Sequence, residues 1–211
     1  MQTPPPYGEF TIALDLPPVS QQARADSKAA FQEAVRRTTG TYEFLLSGDV
    51  SVSVEWAVAE QTRYETDRSP DVDNMLKPLL DALAGPNGAM VDDNQVQHVS
   101  CHWVDSYAEV ERLAISLRYS PDEWLTKNGL FFVQLASGLC VPLSHGTPLQ
   151  FQRAVVERYE SALALRAEAL SGGLGYYTAN LCMPIQRVFH RTRLGAYEVM
   201  DREAFERHSA A

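Results

Sequence analysis

The first 120 residues alternate between strand-like and helix-like hydrophobic patterns. Apolar residues at every second position predict four strands, at residues 10–16, 49–58, 95–104 and 110–119. A helical pattern between the first two strands spans residues 20–39 and ends at Gly40, a residue type that commonly stops helices. Residues 60–70 are polar and predict a loop, after which a second helical stripe begins. This order of elements predicts an α+β fold in which helices cover a small mixed sheet.

The remainder of the chain has a different pattern. Alternating apolar residues on both sides of Ser137-Gly138 predict a β-hairpin. The spacing over residues 148–170 predicts the longest helix of the chain. Residues 201–208 predict a short helix, which Asp201 caps with its carboxylate.

A turn of sequence Ser-Pro-Asp at residues 120–122 separates the two patterns. We therefore expect a core domain at residues 1–120. Residues 121–211 are expected to form a C-terminal accessory extension, with a β-hairpin and a long helix.

The composition is that of an ordinary soluble globular protein, with 45% hydrophobic and 21% charged residues. The sequence contains no run of about 18 apolar residues, which is the length of a transmembrane helix, so we expect no membrane partner. The N-terminal residues have no basic segment followed by an apolar one, so no signal peptide is predicted. Three cysteines far apart, without CxxC spacing, are typical of reduced thiols. These features predict a cytoplasmic protein.

The net charge of -9 comes from an excess of acidic residues in residues 1–120. An acidic protein is an unusual partner for nucleic acid, which normally binds a basic surface. Metal ions bound by several of these carboxylates would cancel part of the negative charge, and the objection would then weaken.

A segment rich in aspartate, PDVDNMLKPLLDALAGPNGAMVDDNQV, occupies residues 70–96. It places four carboxylates around one lysine, Lys77, within an otherwise apolar helical pattern. Carboxylates that crowd together repel one another unless a cation lies between them. The four carboxylates are those of Asp71, Asp73, Asp92 and Asp93.

The spacing within this segment predicts how the charged groups meet. Asp71 and Asp73 are two residues apart, so in an extended chain both side chains point the same way. Pro78 is tolerated in the first turn of a helix, which predicts a helix start close to Asp73-Asn74. Lys77, one turn into that helix, can then reach back to the same place.

Hard oxygen ligands of this kind suit Mg²⁺, or Mn²⁺ as an alternative ion. In such a site the metal activates a water and stabilises charge on phosphorus, while a nearby cation helps the transition state. A second interpretation stays open. The first two aspartates can be a helix cap and a solvated turn, Lys77 and Asp81 a surface pair at i,i+4, and Asp92-Asp93 a polar loop.

Two further groups of residues have the composition of binding sites. His98 and His102 face away from Cys101 on the predicted strand, so we expect no zinc site there. A basic cluster near the C-terminus is either a solvated face or a set of phosphate contacts. The cluster contains Arg187, His190, Arg191 and Arg193.

The aspartate-rich segment resembles the RusA family of Holliday junction resolvases. In that family the pattern is D-x-D-N-x-x-K, a helix that ends in D-A-L, and then D-D-x-Q; this chain has DVDNMLKPLLDAL followed by DDNQV. The resemblance covers about residues 9–120 and includes the turn Leu16-Pro17-Pro18 after the first strand. It implies a homodimeric, Mg²⁺-dependent endonuclease that cuts four-way DNA junctions.

The resemblance also implies roles for individual residues. Asp71 and Asp73 match the catalytic aspartates of the first motif, and Lys77 matches the essential lysine. Asp93 matches the third aspartate, and Asp92 beside it is an additional metal-ligand candidate.

Two features depart from the family pattern. The family often has several basic residues just before the first motif, where this chain has only Arg63 and Arg68. The extension at 121–211 is absent from compact members, and it is expected to serve dimerisation, DNA contact or binding of a protein partner.

We therefore expect a nuclease that binds branched DNA. The candidate DNA contacts are Arg63, Arg68, Lys77, Arg187, Arg191 and Arg193. Two alternatives remain: a metal-dependent nuclease that cuts flaps, RNA or phage DNA, and a DNA-binding protein that has lost its catalytic activity.

Overall fold

The chain divides into two compact units, one up to Leu125 and one from Thr126 onward. The computed structural model describes residues 3–108 and 110–210. Each unit has its own hydrophobic core. The boundary expected from the sequence lies at residue 120, within the turn that precedes the final strand of the first unit.

The N-terminal unit is built on a four-stranded sheet. Its strands are β1 (Glu9–Leu14), β3 (Val50–Val58), β4 (Val96–Asp105) and β5 (Arg112–Tyr119), in the order β1-β5-β3-β4. Strands β3 and β4 are parallel, whereas β5 is antiparallel to both β1 and β3. Parallel neighbours require a crossover connection. The crossover between β3 and β4 contains the aspartate-rich segment, which is why that segment lies beside the sheet.

Helices cover one face of this sheet. They are α1 (Ala25–Thr39), the short α2 (Glu60–Glu65) and α3 (Val72–Leu83). The core beneath them includes the fully buried Trp56, Met75 and Leu79. The opposite face is polar, since Ser100 Oγ lies 3.0 Å from Ser53 Oγ across the β3–β4 pair. This one-sided core explains the strict alternation that identified β3 and β5 in the sequence.

Two local elements differ from the sequence prediction. Residues 60–65, expected to lie in a loop, form helix α2. An additional short strand, β2 (Phe44–Leu46), pairs with β6 (Trp124–Thr126) in a separate two-stranded sheet. All three residues of β2 are buried, so the strand has no alternation by which the sequence could reveal it.

Helix α1 begins at Ala25, five residues later than its apolar spacing predicts. The preceding backbone has other partners. The amide of Gln21 donates to the carbonyl oxygen of Asn74 on α3 at 2.8 Å, and the amide of Ala23 donates to Ser20 O at 2.9 Å. Residues 20–23 thus form a turn that is tied to α3, and the helix follows it.

Pro78 lies at the seventh position of α3, so its predicted place in the first turn was wrong. A proline inside a helix leaves the carbonyl four residues earlier without its usual N–H donor. That carbonyl belongs to Asn74, and the Gln21 amide occupies it. This hydrogen bond thus makes Pro78 tolerable in α3.

The C-terminal unit combines a second sheet with helices, and the α+β prediction is confirmed for the chain. Strands β7 (Leu130–Gln134) and β8 (Leu139–Ser144) form the predicted hairpin. The remaining elements are α4 (Leu149–Ser171), α5 (Tyr176–Ala179), β9 (Phe189–His190), β10 (Val199–Met200) and α6 (Arg202–Ala210), and the strand order is β10-β7-β8-β9. Asp201 Oδ1 accepts the amide of Ala204 at 2.7 Å, as expected for the cap of α6.

None of the helices in the described ranges, 3–108 and 110–210, is both long and apolar enough to cross a membrane. The three cysteines, Cys101, Cys140 and Cys182, are free thiols.

Candidate active site

The N-terminal end of α3 carries Asp71 and Asp73. Asp71 is the N-cap residue, with extended backbone angles, and Asp73 lies in the first turn. The expectation that both residues lie in extended chain was therefore wrong for Asp73, because the helix begins at Val72. The Asp71 carboxylate makes no capping hydrogen bond, so it is not committed to the helix end. Both acidic side chains are exposed where the helix dipole favours negative charge.

Lys77 lies one turn further along the same helix, on its exposed side. Its Nζ is 2.6 Å from Asp81 Oδ1 and 2.8 Å from Asp93 Oδ2. These hydrogen bonds, that to Asp81 first, raise the pKa of Lys77 from 10.5 to about 12. The side chain is therefore a fixed positive charge at neutral pH and not a proton acceptor.

Asp92 and Asp93 have different surroundings although they are adjacent. They lie at the start of a 3-10 turn, Asp93–Gln95, that leads into β4. Asp92 Oδ1 accepts the amide of Asn94 at 3.0 Å, so this oxygen caps the turn. Asp93 instead directs a carboxylate oxygen to Lys77. Asp93 thus contacts Lys77, whereas Asp92 caps the 3-10 turn.

Gln95 holds this turn to the rest of the unit and was not identified as a functional candidate from the sequence. Its Oε1 accepts the amide of Asp92 at 2.9 Å. Its Nε2 donates to the carbonyl oxygens of Leu46 at 3.0 Å and Gly48 at 2.7 Å. Asp92 and Gln95 together form a capping box, whose spacing (Asp-x-x-Gln) is visible in the sequence and could have revealed the turn.

Arg63 supports the backbone just before Asp71. Its guanidinium carbon lies 5.3 Å from the ring centroid of Trp56 and 5.9 Å from that of Trp103. Its NH1 donates to the carbonyl oxygen of Pro70 at 2.8 Å. Stacking on two tryptophans and a hydrogen bond hold the side chain in place, so Arg63 fixes the entry to α3 whether or not it also contacts DNA.

The other predicted DNA contacts have different environments. Arg68 is exposed in the loop after α2. Arg187, Arg191 and Arg193 are exposed residues of the C-terminal unit.

A groove of about 320 Å³ adjoins the catalytic candidates on the α1 side of α3. Lys77 and Asp81 line it together with Lys28 of α1, whose Nζ donates to Gln21 O at 3.0 Å. The groove thus brings a second lysine near Lys77, which the sequence pattern did not suggest because the two helices are separated by strands β2 and β3.

The histidines of β4 do not combine with the nearby cysteine. His98 and Ser100 line the polar face of the sheet together with Ser51 and Ser53. Cys101 is on the other face, where its Sγ lies 3.9 Å from Met75 Sδ. Burial, as the largest cause, raises the pKa of the Cys101 thiol. The opposite orientation follows from the two-residue period of a strand.

The donor atoms at this site fit a hard divalent cation, since exposed carboxylates supply oxygen ligands. Across residues 3–108 and 110–210, however, no three Asp, Glu, His or Cys side chains are close enough to enclose a metal ion. The Asp93 carboxylate is paired with Lys77 instead. The chemistry of the ligands therefore agrees with metal binding, while their arrangement is that of an ion-paired site.

Residues 16–118 match the family model described as Endodeoxyribonuclease RusA. No curated protein that was compared matches the chain. The matched range contains the whole aspartate-rich segment and ends before the C-terminal unit, and it confirms the resemblance found in the sequence.

Proposed function

Because residues 16–118 belong to the RusA family of endodeoxyribonucleases, we propose that the protein is a Mg²⁺-dependent, structure-specific endonuclease that resolves four-way DNA junctions. Enzymes of this family hydrolyse DNA and are metal-dependent. The observation that carries the proposal is the Lys77–Asp93 pair beside the Asp71–Asp73 helix end, inside the matched range. This arrangement combines a fixed positive charge with oxygen ligands for a metal ion, and both can stabilise the charge that develops during phosphodiester hydrolysis.

Asp71, Asp73 and Asp93 would hold the divalent ion, Mg²⁺ or alternatively Mn²⁺. When bound, the ion lowers the pKa of water and neutralises charge on the phosphate. Asp71 and Asp73 contribute exposed carboxylates from one helix end, and Asp93 contributes a third from the turn before β4. Asp92, also a ligand candidate in the sequence, has one oxygen in the capping hydrogen bond to Asn94. We therefore rank Asp92 below Asp71, Asp73 and Asp93 as a metal-ligand candidate.

Lys77 acts as an electrostatic stabiliser in this mechanism. With a pKa of about 12 it keeps its proton at neutral pH. Its positive charge stabilises the additional negative charge that develops on the phosphate in the transition state. Asp81 and Asp93 both accept hydrogen bonds from the ammonium, which restricts where that charge can lie.

Junction recognition is assigned to basic residues in both units. Exposed Arg68 supports a phosphate contact close to the catalytic aspartates, and Lys77 itself contributes charge there. Arg187, Arg191 and Arg193 support further phosphate contacts by the C-terminal unit. A homodimer would present two active sites to the two strands that a symmetric junction offers for cutting.

The C-terminal unit lies outside the matched range and is proposed to be an accessory module. Three large apolar side chains of this unit are almost fully exposed to solvent: Tyr177 is 89% exposed, Leu181 84% and Ile185 85%. Exposed apolar groups close in sequence support a role in contacting a protein partner or a second copy of the chain. A cytoplasmic location is part of the proposal, in keeping with the free cysteines.

The direct test is cleavage of a labelled four-way junction beside a linear duplex and a flap. Each substrate is incubated with Mg²⁺, with EDTA, and with the variant Asp73→Asn. Paired symmetric nicks in the junction alone, absent with EDTA and in the variant, are the expected result. Size-exclusion chromatography with light scattering checks the dimer in the same preparation.

Other outcomes would point to a different activity. Metal-dependent cutting of the flap, of RNA or of linear DNA in preference to the junction would identify a nuclease with another substrate. Binding of the junction without any product would identify a DNA-binding protein that has lost catalysis.

A further inference from the structure

The turn that carries Asp92 and Asp93 is attached to the central part of the N-terminal unit by its backbone. The amide of Val91 donates to Leu46 O at 3.2 Å, and the amide of Leu46 donates to Ala89 O at 2.9 Å. The chain leading to the turn therefore runs alongside β2. The turn itself follows Val91 directly.

The side chain of Gln95 links this turn to the chain around β2. It is only 9% exposed, and its amide makes three hydrogen bonds. Two are donated by Nε2, to Leu46 O and Gly48 O, and one is accepted by Oε1 from the amide of Asp92. If the amide were rotated by half a turn, its Nε2 would face the Asp92 amide, and two donors would oppose each other. The three partners therefore fix the orientation of the Gln95 amide.

The partners of Gln95 connect two parts of the chain that are distant in sequence. Leu46 ends β2 and Gly48 lies in the turn before β3, the strand that pairs with both β4 and β5. On the other side is the backbone of Asp92, immediately before the residue whose carboxylate lies 2.8 Å from Lys77 Nζ. The side chain of Gln95 thus links the sheet to the position of Asp93.

We propose that Gln95 is a positioning residue for the divalent-cation site: it holds the Asp92-Asp93 turn where the Asp93 carboxylate can serve as a ligand. Gln95 is not itself a ligand, because its amide oxygen and nitrogen are occupied by backbone partners. Outer-shell groups of this kind orient metal ligands, and their loss weakens metal binding. The inference rests on the proposed function, since it presumes that Asp93 binds the ion.

Gln95→Met tests the inference, because methionine keeps the length of the side chain and removes its hydrogen bonds. A matched control is Gln152→Met in the C-terminal unit. Gln152 is 1% exposed, and its Nε2 likewise donates to two carbonyl oxygens, those of Ser144 and Thr147. Both variants therefore lose a buried amide with two backbone acceptors, but only one of them lies beside the aspartates.

The measurement is calorimetric titration of the full-length protein with MnCl₂ alone, accompanied by thermal unfolding of each variant. We expect Gln95→Met to weaken the Kd for Mn²⁺ by roughly 10- to 100-fold. Gln152→Met should lose stability but keep the wild-type Kd. An unchanged Kd in Gln95→Met, or equal weakening in both variants, would overturn the positioning role.

Failure of the proposed function gives a different result. Wild-type protein that binds no Mn²⁺ would overturn both the metal site and the role of Gln95. A second experiment applies if Gln95→Met does not fold: ¹⁵N-labelled wild-type protein is titrated with MgCl₂ and followed by NMR. The NMR signals of the Gln95 side-chain amide and of the Asn94 backbone amide should then shift with the same midpoint. Gln95 signals that stay fixed while those of Asn94 move would refute the inference.

Discussion

The Nζ atom of Lys77 lies 2.8 Å from Oδ2 of Asp93, which joins the exposed side of α3 to the turn before β4. The two residues are 16 positions apart within the aspartate-rich segment. Their contact shows that the segment folds back on itself, with the lysine and the last aspartate at one place. Because Lys77 also bonds Asp81, the ammonium is shared between two carboxylates.

We expect Lys77 to remain protonated throughout the range in which nucleases are assayed. Its pKa is raised to about 12, mainly by the hydrogen bond to Asp81. The ion pairs thus contribute their full stability below pH 10.5 and lose it as the pH rises towards 12. Titration of the ¹³Cε signal of Lys77 by NMR measures this directly. In Asp81→Asn the midpoint should fall towards 10.5, and an unchanged midpoint would contradict the assigned cause.

Asp81→Asn should slow cleavage while leaving the fold intact. Without the Asp81 carboxylate, Lys77 keeps only one of its two partners, and a displacement of the charge by about 1 Å can cost up to about 100-fold in rate. Unfolding free energy should change by less than about 1 kcal/mol, since the pair is solvent-exposed. Single-turnover rates on the junction and urea unfolding give the two quantities. Asp26→Asn, an equal charge change in the first turn of α1, is the control and should cleave normally.

Asp73→Asn should abolish cutting and leave the protein folded. Loss of a ligand should reduce the rate at least as much as loss of an outer-shell group, that is by about 100-fold or more. Two opposing effects keep the stability nearly constant without metal. The helix dipole loses a favourable charge, worth about 0.3–1 kcal/mol, while repulsion from the neighbouring carboxylates is relieved. A variant that fails to fold would indicate a structural aspartate.

Arg63 and Arg68 should separate stability from DNA binding. Arg63→Ala removes stacking on Trp56 and Trp103 and the hydrogen bond to Pro70, so the unfolding free energy should fall by about 1–3 kcal/mol. Arg68→Ala should leave stability unchanged, within about 0.5 kcal/mol. If Arg68 contacts one phosphate, its loss should reduce the salt dependence of junction binding by about one unit of slope. Equal effects of the two variants on stability would contradict the contacts of Arg63.

Pro78→Ala should stabilise the protein by far less than helix propensity suggests. Replacing a proline inside a helix is worth about 3 kcal/mol on propensity alone. Here the Asn74 carbonyl already accepts the Gln21 amide, so the new amide satisfies no acceptor that the proline had left unpaired, and the packing of the buried Pro78 ring is lost. We expect a change within about 1 kcal/mol in urea unfolding. A gain near the full propensity value would show that the Gln21 contact contributes little.

The long elements could be predicted because their burial repeats along the sequence. Strand β3 alternates between buried and more exposed positions over nine residues, Val50–Val58. The same alternation is visible in the order of apolar and other residues along the sequence. Helix α2 has no buried residues, whereas all three residues of β2 are buried. Neither element therefore has a periodic alternation of buried and exposed positions that the sequence could reveal. Their structure depends on contacts outside them, such as that of Arg63 with Trp56.

Residues 20–24, which precede α1, show the same dependence. Their apolar spacing is helical, but the Gln21 amide donates to Asn74, which belongs to another helix. A propensity is a local quantity of small magnitude, and tertiary context commonly outweighs it.

The sequence by itself determined the α+β class, the order of the long elements and the chemical nature of the site. These depend on periodicity along the chain and on residue type, both of which are local. Only the tertiary structure decided that Asp93, and not Asp92, reaches Lys77, and that Gln95 and Arg63 hold the two ends of the site. The reason is that a buried amide or a stacked guanidinium must find partners wherever the fold supplies them, and here those partners lie on other strands and helices.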